Sequence, residues 1–266
     1  MTVSAGGAAG SQSGAGVSPV RLASGEPAYL KTTPAPLGPE ALAAARRELR
    51  FYRHVGPGLA VPTPELLGWR DTDDGVALLL ASAGGPVPVR AWTPAMWAAL
   101  GDRLAVLHDT PVPHAWARPD PLTGDLSAAY WDDVPDVRAQ EVLDSLAALA
   151  PVFGHGDCHS ANVVWRDGRL TLCDWQTSGV GRPGSDLAFP AVRAAPEGVQ
   201  VPPDLVDAYA RRRGCDAAVV RRAVLAEELA ILLYLWPPFA KFHTDAAIGR
   251  VRERLRTLVA RWQVDR

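Results

Sequence analysis

Over the first eighty positions the apolar residues fall in short blocks, and over most of the rest they recur at helical spacing. Val17–Leu22 and Pro27–Thr32 have strand length and composition, and Ser24-Gly25-Glu26 between them is a turn triplet. Gly38-Pro39-Glu40 opens a helix. Proline is tolerated at the first helical position, and the glutamate meets the positive end of the dipole. Leu42, Ala45, Leu49 and Tyr52 give that helix one apolar stripe, which runs to about His54. Val76–Ala81 is an apolar run of strand length, broken by Gly84-Gly85-Pro86. Pro94–His108 is a second helix, with Trp97, Leu100, Leu104 and Leu107 on one face. Beyond Asp204 the spacing predicts only helices: 204–213 closed by Gly214, 216–236 closed by Pro237, and 249–263. The first sixteen residues are rich in Gly, Ala and Ser and read as a tail or loop.

With 266 residues the chain can build one large domain or two lobes. The elements predict an α+β protein, strand-rich at first and mainly helical later. The formal charge of −2, spread along the chain, argues against a nucleic-acid partner, which a basic excess would grip. Leu229–Ala240, the longest apolar run, carries Pro237 and Pro238 and is too short to span a bilayer, so no membrane role is expected. Three irregularly spaced cysteines make no disulfide framework, and MTVSAGGAAGSQSG has no apolar signal core, so the expected location is cytoplasmic. Of 27 basic residues only Lys31 and Lys241 are lysine, which draws attention to any place where a compact ammonium is required.

The chemistry concentrates in FGHGDCHSANVVWRDGRLTLCDWQTSG, residues 153–179. Asn162–Trp165 and Arg169–Cys173 are apolar runs joined through Asp167-Gly168, a strong type I′ hairpin signal. Counting outward, Asn162 faces Cys173 and Asp174 lies one diagonal step from Asn162, about 7–8 Å away. Asp157 precedes the hairpin. Two carboxylates and an amide oxygen are hard donors that suit Mg²⁺, which completes its shell with water and substrate phosphates.

His155-Gly156-Asp157-x4-Asn162 followed by Asp174-Trp175 resembles the catalytic and metal loops of the aminoglycoside phosphotransferase and choline kinase superfamily. The protein-kinase version reads H-R-D-x4-N and D-F-G. The resemblance runs from about residue 11 to 190 and implies a bilobal, protein-kinase-like fold. Its expected parts are a nucleotide-binding lobe at 1–82, a hinge at 83–86 and a catalytic and acceptor-binding lobe at 87–266. It implies transfer of the γ-phosphoryl group of ATP or GTP to a hydroxyl of a small molecule, by a monomer or homodimer. Asp157 would be the catalytic carboxylate, and Asn162 and Asp174 the Mg²⁺ ligands. Lys31 would meet the nucleotide phosphates, held by Glu48, with Glu40 the competing partner. Ser13, Gly14 and Ala15 fall in what resembles the phosphate-covering loop. Asp186, with His155, would brace the catalytic loop.

Other readings attach to some residues. His155, Cys158 and His159 are clustered, but no second pair completes a four-ligand zinc site. His108 and His114 read as a helix-end and a loop histidine, and Tyr130-Trp131 as core or acceptor wall. A non-catalytic kinase-like module would normally lack one of Lys31, Asp157, Asn162 and Asp174, and all four are present. Ala195-Pro196-Glu197 does follow Asp174, but no strict G-x-G-x-x-G loop precedes Lys31, against a protein substrate. The acceptor is expected to be an antibiotic or a metabolite alcohol. Asp132, Asp133, Asp136, Asp204, Asp207, Glu227 and Glu228 could line a cationic pocket. Arg211–Arg213, Arg221, Arg222 and the apolar Leu232–Trp236 argue for a less charged acceptor.

Overall fold

A computed structural model of the chain describes residues 9–10, 16–111, 116–117, 122, 130–131 and 139–264. In chain order the strands are β1 Ala9–Gly10, β2 Gly16–Arg21, β3 Pro27–Pro34, β4 Leu66–Thr72, β5 Gly75–Ala81, β6 Val152–Gly154, β7 Val163–Arg166, β8 Arg169–Leu172 and β9 Gly179–Gly181. The α-helices are α1 Pro39–His54, α2 Pro94–His108, α3 Ala139–Leu146, α4 Pro183–Ala194, α5 Asp204–Arg213, α6 Ala217–Ala230 and α7 Asp245–Val264. They divide into two compact units, 1–85 with 164–178, and 86–163 with 179–266.

The first unit is built on an antiparallel sheet in the order β1-β2-β3-β5-β4. Val76, Leu78 and Leu80 alternate along β5 and are buried, as period 2 requires of a half-covered sheet. Helix α1 buries Ala45, Leu49, Phe51 and Tyr52. Phe51 stacks on Trp175 with ring centroids 4.1 Å apart. β7 and β8 form the expected hairpin, and Asp167 and Gly168 both take positive φ, 52° and 73°, as a type I′ turn demands.

The second unit is mainly helical. Its core gathers Val192, Leu225, Leu229, Leu232, Val251, Leu255, Leu258 and Trp262. Helices α2 and α5 approach so closely that a Cβ on Gly101 would lie 2.1 Å from the Leu205 carbonyl oxygen, so only glycine fits there. β6 pairs with β9, which puts the start of the 155–162 loop beside the lead-in to α4.

Several sequence expectations need correction. The strand bearing Lys31 does not end at Thr32 but runs on through Thr33 to Pro34, and the β-branched Thr32 and Thr33 suit a pleated sheet. Asn162 does not open β7; it closes a 3₁₀ turn, Ser160–Asn162, whose entry is capped by the His159 ring accepting from the Ala161 N–H at 3.3 Å. The predicted helix 216–236 is α-helical only to Ala230, and Ile231–Leu235 widens into a π turn. There the Leu232 carbonyl accepts from the Trp131 indole at 2.9 Å, a partner that widening the helix makes possible. β4 and α4 carry no clear periodic signal. β4 is largely exposed, and Pro190 interrupts α4.

Candidate active site

In the first unit, Lys31 sits mid-strand on β3, paired across the sheet with Val17 and Leu78. It is 8% exposed, and an ammonium so buried needs charged partners. It has two. Its Nζ lies 2.6 Å from Glu48 Oε2 and 2.7 Å from Asp174 Oδ1. Glu48 comes from the buried face of α1, and its Oε1 also accepts from the Trp175 N–H at 3.3 Å. Glu40, the competing partner, stays in the first turn of α1. Burial pushes the Lys31 ammonium down, but the charges of Glu48 and Asp174 outweigh it and the net shift is upward. Asp174 stands in the left-handed region with φ 64°, which aspartate tolerates better than most residues. Beside it, burial and the charges of Asp174 and Glu48 push the Cys173 thiol up to about 12.

In the second unit, Asp186 at the start of α4 is buried, 1% exposed, and organises the loop after β6. Its Oδ2 accepts from the His155 N–H at 2.6 Å and its Oδ1 from the Gly156 N–H at 2.7 Å. A Cβ on Gly154 would meet that carboxylate at 2.7 Å, so the strand must bring glycine there. The next residue, Asp157, donates its N–H to His155 Nδ1 at 3.3 Å. Its Oδ2 accepts from Asn162 Nδ2 at 3.1 Å, and its Oδ1 is 3.6 Å from His159 Nε2. The same Asn162 nitrogen reaches the Asp157 carbonyl at 2.9 Å. This leaves Asn162 Oδ1 without a hydrogen bond among the described residues. Burial works to raise the Asp157 carboxyl; the His159 hydrogen bond and the charges of His159, His155 and Arg193 outweigh it and hold it below the ordinary 3.8.

Ser13, Gly14 and Ala15 lie outside the described residues, as do His114, Asp132, Asp133 and Asp136. His108 is not merely a helix-end histidine. It is buried against Asp186 at 3.1 Å and the Tyr209 hydroxyl at 2.9 Å. Sequence reasoning missed this pair, although His108 is i+4 from the buried Leu104 and Tyr209 is i+4 from Leu205. Among the described residues no three His, Cys, Asp or Glu side chains gather as a metal cluster.

The chain can therefore present a charge-paired lysine, a paired carboxylate and a fixed loop aspartate, the parts of a phosphoryl-transfer enzyme. The sequence profile of the Phosphotransferase enzyme family matches residues 12–223, and the chain belongs to that family. No curated protein matches the chain in sequence. Solved structures match its fold along almost its full length. A protein described as a fructosamine-3-kinase from Haemophilus somnus 129PT is 12% identical, with TM-score 0.63, covering 98% of this chain and 91% of that one. A macrolide 2′-phosphotransferase from Brachybacterium faecium is 20% identical, with TM-score 0.60, covering 97% and 91%. A spectinomycin phosphotransferase, solved with ADP and spectinomycin, is 13% identical, with TM-score 0.57, covering 99% and 93%. The fold is the α+β, protein-kinase-like one. No helix among the described residues is long and apolar enough to cross a membrane.

Proposed function

We propose that the chain transfers the γ-phosphoryl group of ATP or GTP to a hydroxyl of a small molecule, with Mg²⁺. The observation that carries this reading is the buried Lys31 ammonium between Glu48 Oε2 and Asp174 Oδ1, at 2.6 and 2.7 Å. A buried cation fixed by two carboxylates is suited to neutralise phosphate oxygens, which it meets without reorganising. Asp157, held ionised, accepts the proton of the acceptor hydroxyl. Asn162 Oδ1 and the Asp174 carboxylate would hold magnesium, which when bound supplies neutralisation of charge on the phosphate oxygens. Residues 83–86 serve as the hinge between lobes 1–82 and 87–266, and Ser13–Ala15 as the phosphate-covering loop.

For the acceptor we propose an antibiotic hydroxyl, with resistance as the role, on a molecule of low positive charge. Three of the acids that could grip a polycation are already engaged, Glu227 with Arg182, Glu228 with Arg254 at 2.7 Å, and Asp207 with Arg221. The macrolide phosphotransferase among the fold relatives fits such an acceptor better than a polyamino sugar does. The fructosamine-3-kinase relative supports the second reading, a kinase of a metabolite alcohol.

The test is ADP or GDP release by the purified chain with Mg²⁺ over a panel of aminoglycosides, macrolides, nucleosides, choline-like alcohols and sugars. Release should depend on one acceptor class and vanish in Asp157→Ala. Equal release in that variant would sink the assignment of Asp157, and a polyamino sugar as the best acceptor would sink the charge argument.

A further inference from the structure

The Asp186 carboxylate receives three N–H groups: His155 at 2.6 Å, Gly156 at 2.7 Å and the His108 ring at 3.1 Å. A carboxylate can only accept, so His108 Nε2 must carry a proton. In a neutral imidazole Nδ1 is then an acceptor, and it faces one partner, the Tyr209 hydroxyl at 2.9 Å. Arg213 donates to the same hydroxyl oxygen at 3.4 Å and pairs with Asp109 at 3.2 Å. That contact takes one acceptor site on the tyrosine oxygen and leaves its own proton for His108. Tyr209 is 2% exposed and His108 4%, so water does not readily replace either partner. Burial, partly offset by Arg213, pushes the Tyr209 phenol up to about 12, so it remains a donor across the physiological range.

We propose that Tyr209 is a positioning residue: its O–H sets the tautomer of His108, which keeps Nε2–H on Asp186 and so keeps the two backbone N–H groups before Asp157 in register. Without the hydroxyl, the proton can move to Nδ1, and Nε2 then turns a lone pair toward a carboxylate. Asp186 loses the ring donor and is repelled, which loosens its hold on the 155–157 backbone. A buried network of this kind acts through the state of every member, so one oxygen removed at Tyr209 is felt three links away. That the positioned group is catalytic rests on the function proposed above; the link from Tyr209 to the loop does not.

The experiment therefore reads the loop as well as the chemistry. Hydrogen exchange of the 153–160 segment is followed in the full chain without ligand, wild type against Tyr209→Phe. Exchange at the His155 and Gly156 amides should quicken by at least about tenfold, with α7 unchanged. Unchanged loop exchange, or equal quickening in α7, would overturn the proposal. His108→Gln supplies the sharper control. Its amide nitrogen donates to Asp186 whatever Tyr209 does, so adding Tyr209→Phe to it should change loop exchange less than about twofold. The same tenfold effect in both backgrounds would show that the hydroxyl acts by packing alone. A measurement on the wild type covers the case where a variant does not fold. ¹⁵N-imidazole NMR, assigned with His108→Gln, should show His108 with its proton on Nε2 and Nδ1 accepting. A proton on Nδ1 would refute the mechanism outright. Loop quickening together with unchanged nucleoside diphosphate release would keep the link and sink the catalytic role of Asp157 instead.

Discussion

The two units solve the same problem, fixing a charged group in a dry place, by opposite means. In the first unit charge holds charge: Lys31 is pinned by the side chains of Glu48 and Asp174. In the second unit backbone holds charge: the Asp186 carboxylate is satisfied by the His155 and Gly156 N–H groups and by one ring nitrogen. A side-chain ion pair is strong only while both partners remain, because the survivor is left buried and unpaired. A carboxylate held by several N–H groups loses its donors one at a time, and its failures are graded. The first arrangement suits a cation held in one place, and the second suits a loop whose shape must not change.

Variants can break or sharpen that contrast. Asp174→Asn removes a proposed metal ligand and one of the two carboxylates on Lys31; it should lower nucleoside diphosphate release by about 10³-fold or more, while the melt stays cooperative at a lower temperature because Glu48 still pairs the ammonium. Next, Lys31→Met strands the buried Glu48 carboxylate. It should cost about 3–5 kcal/mol in urea unfolding, and Lys31→Met with Glu48→Leu should recover most of that stability with none of the activity. If the double variant is no more stable than the single, a stranded Glu48 charge is not what destabilises Lys31→Met. Asp186→Asn keeps the shape but sets an amide NH₂ against at least one of the N–H donors. It should cost about 1–3 kcal/mol, with loop exchange rising before global unfolding does.

The pH dependence separates the halves further. The folded Asp157 carboxyl lies below the ordinary 3.8, so the stability it adds is present above that value and is lost as pH falls through the folded one. Asp157→Asn should therefore lower stability at neutral pH and converge with wild type in strong acid, as thermal melts across pH will show. Lys31, shifted upward, behaves oppositely: its contribution is whole below the ordinary 10.5 and is lost as pH rises through the folded value. The smallest effect concerns thiols. With Cys173 pushed up to about 12, its thiolate fraction at pH 7 is about 10³-fold below that of a free thiol. Exposed Cys215 should alkylate first and Cys173 far behind it, as mass spectrometry of a timed labelling will read.

Sequence legibility cut across that divide. Glu48 could be read from its place beside the apolar stripe of α1, and the bounds of α1, α2 and α5 from periodicity and their Pro and Gly stops. The Phosphotransferase enzyme family was legible from the spacing of His155, Asp157, Asn162 and Asp174. What was not legible depends on partners remote in sequence. His108 and Tyr209 lie 101 residues apart, and neither alone differs from an ordinary core-facing polar side chain. β4 shows only weak alternation because it is an edge strand with little buried surface. The π turn at Ile231–Leu235 arises from tertiary contacts, the Trp131 indole on Leu232 and the Trp131–Trp236 stack at 5.5 Å, that no local propensity encodes.

The close approach at Gly101 has a bearing on how this chain can change. α2 carries His108 and α5 carries Tyr209, and the two backbones nearly touch where Gly101 meets Leu205. Exchanging a helical glycine for alanine is a routine way to stiffen a protein. Here the added methyl would act as a wedge, prying the helices apart and opening the gap that a single hydroxyl now spans. Position 101 is thus a spacer whose emptiness sets the reach of the next heptad, and attempts to evolve or engineer a hardier variant will find that door closed.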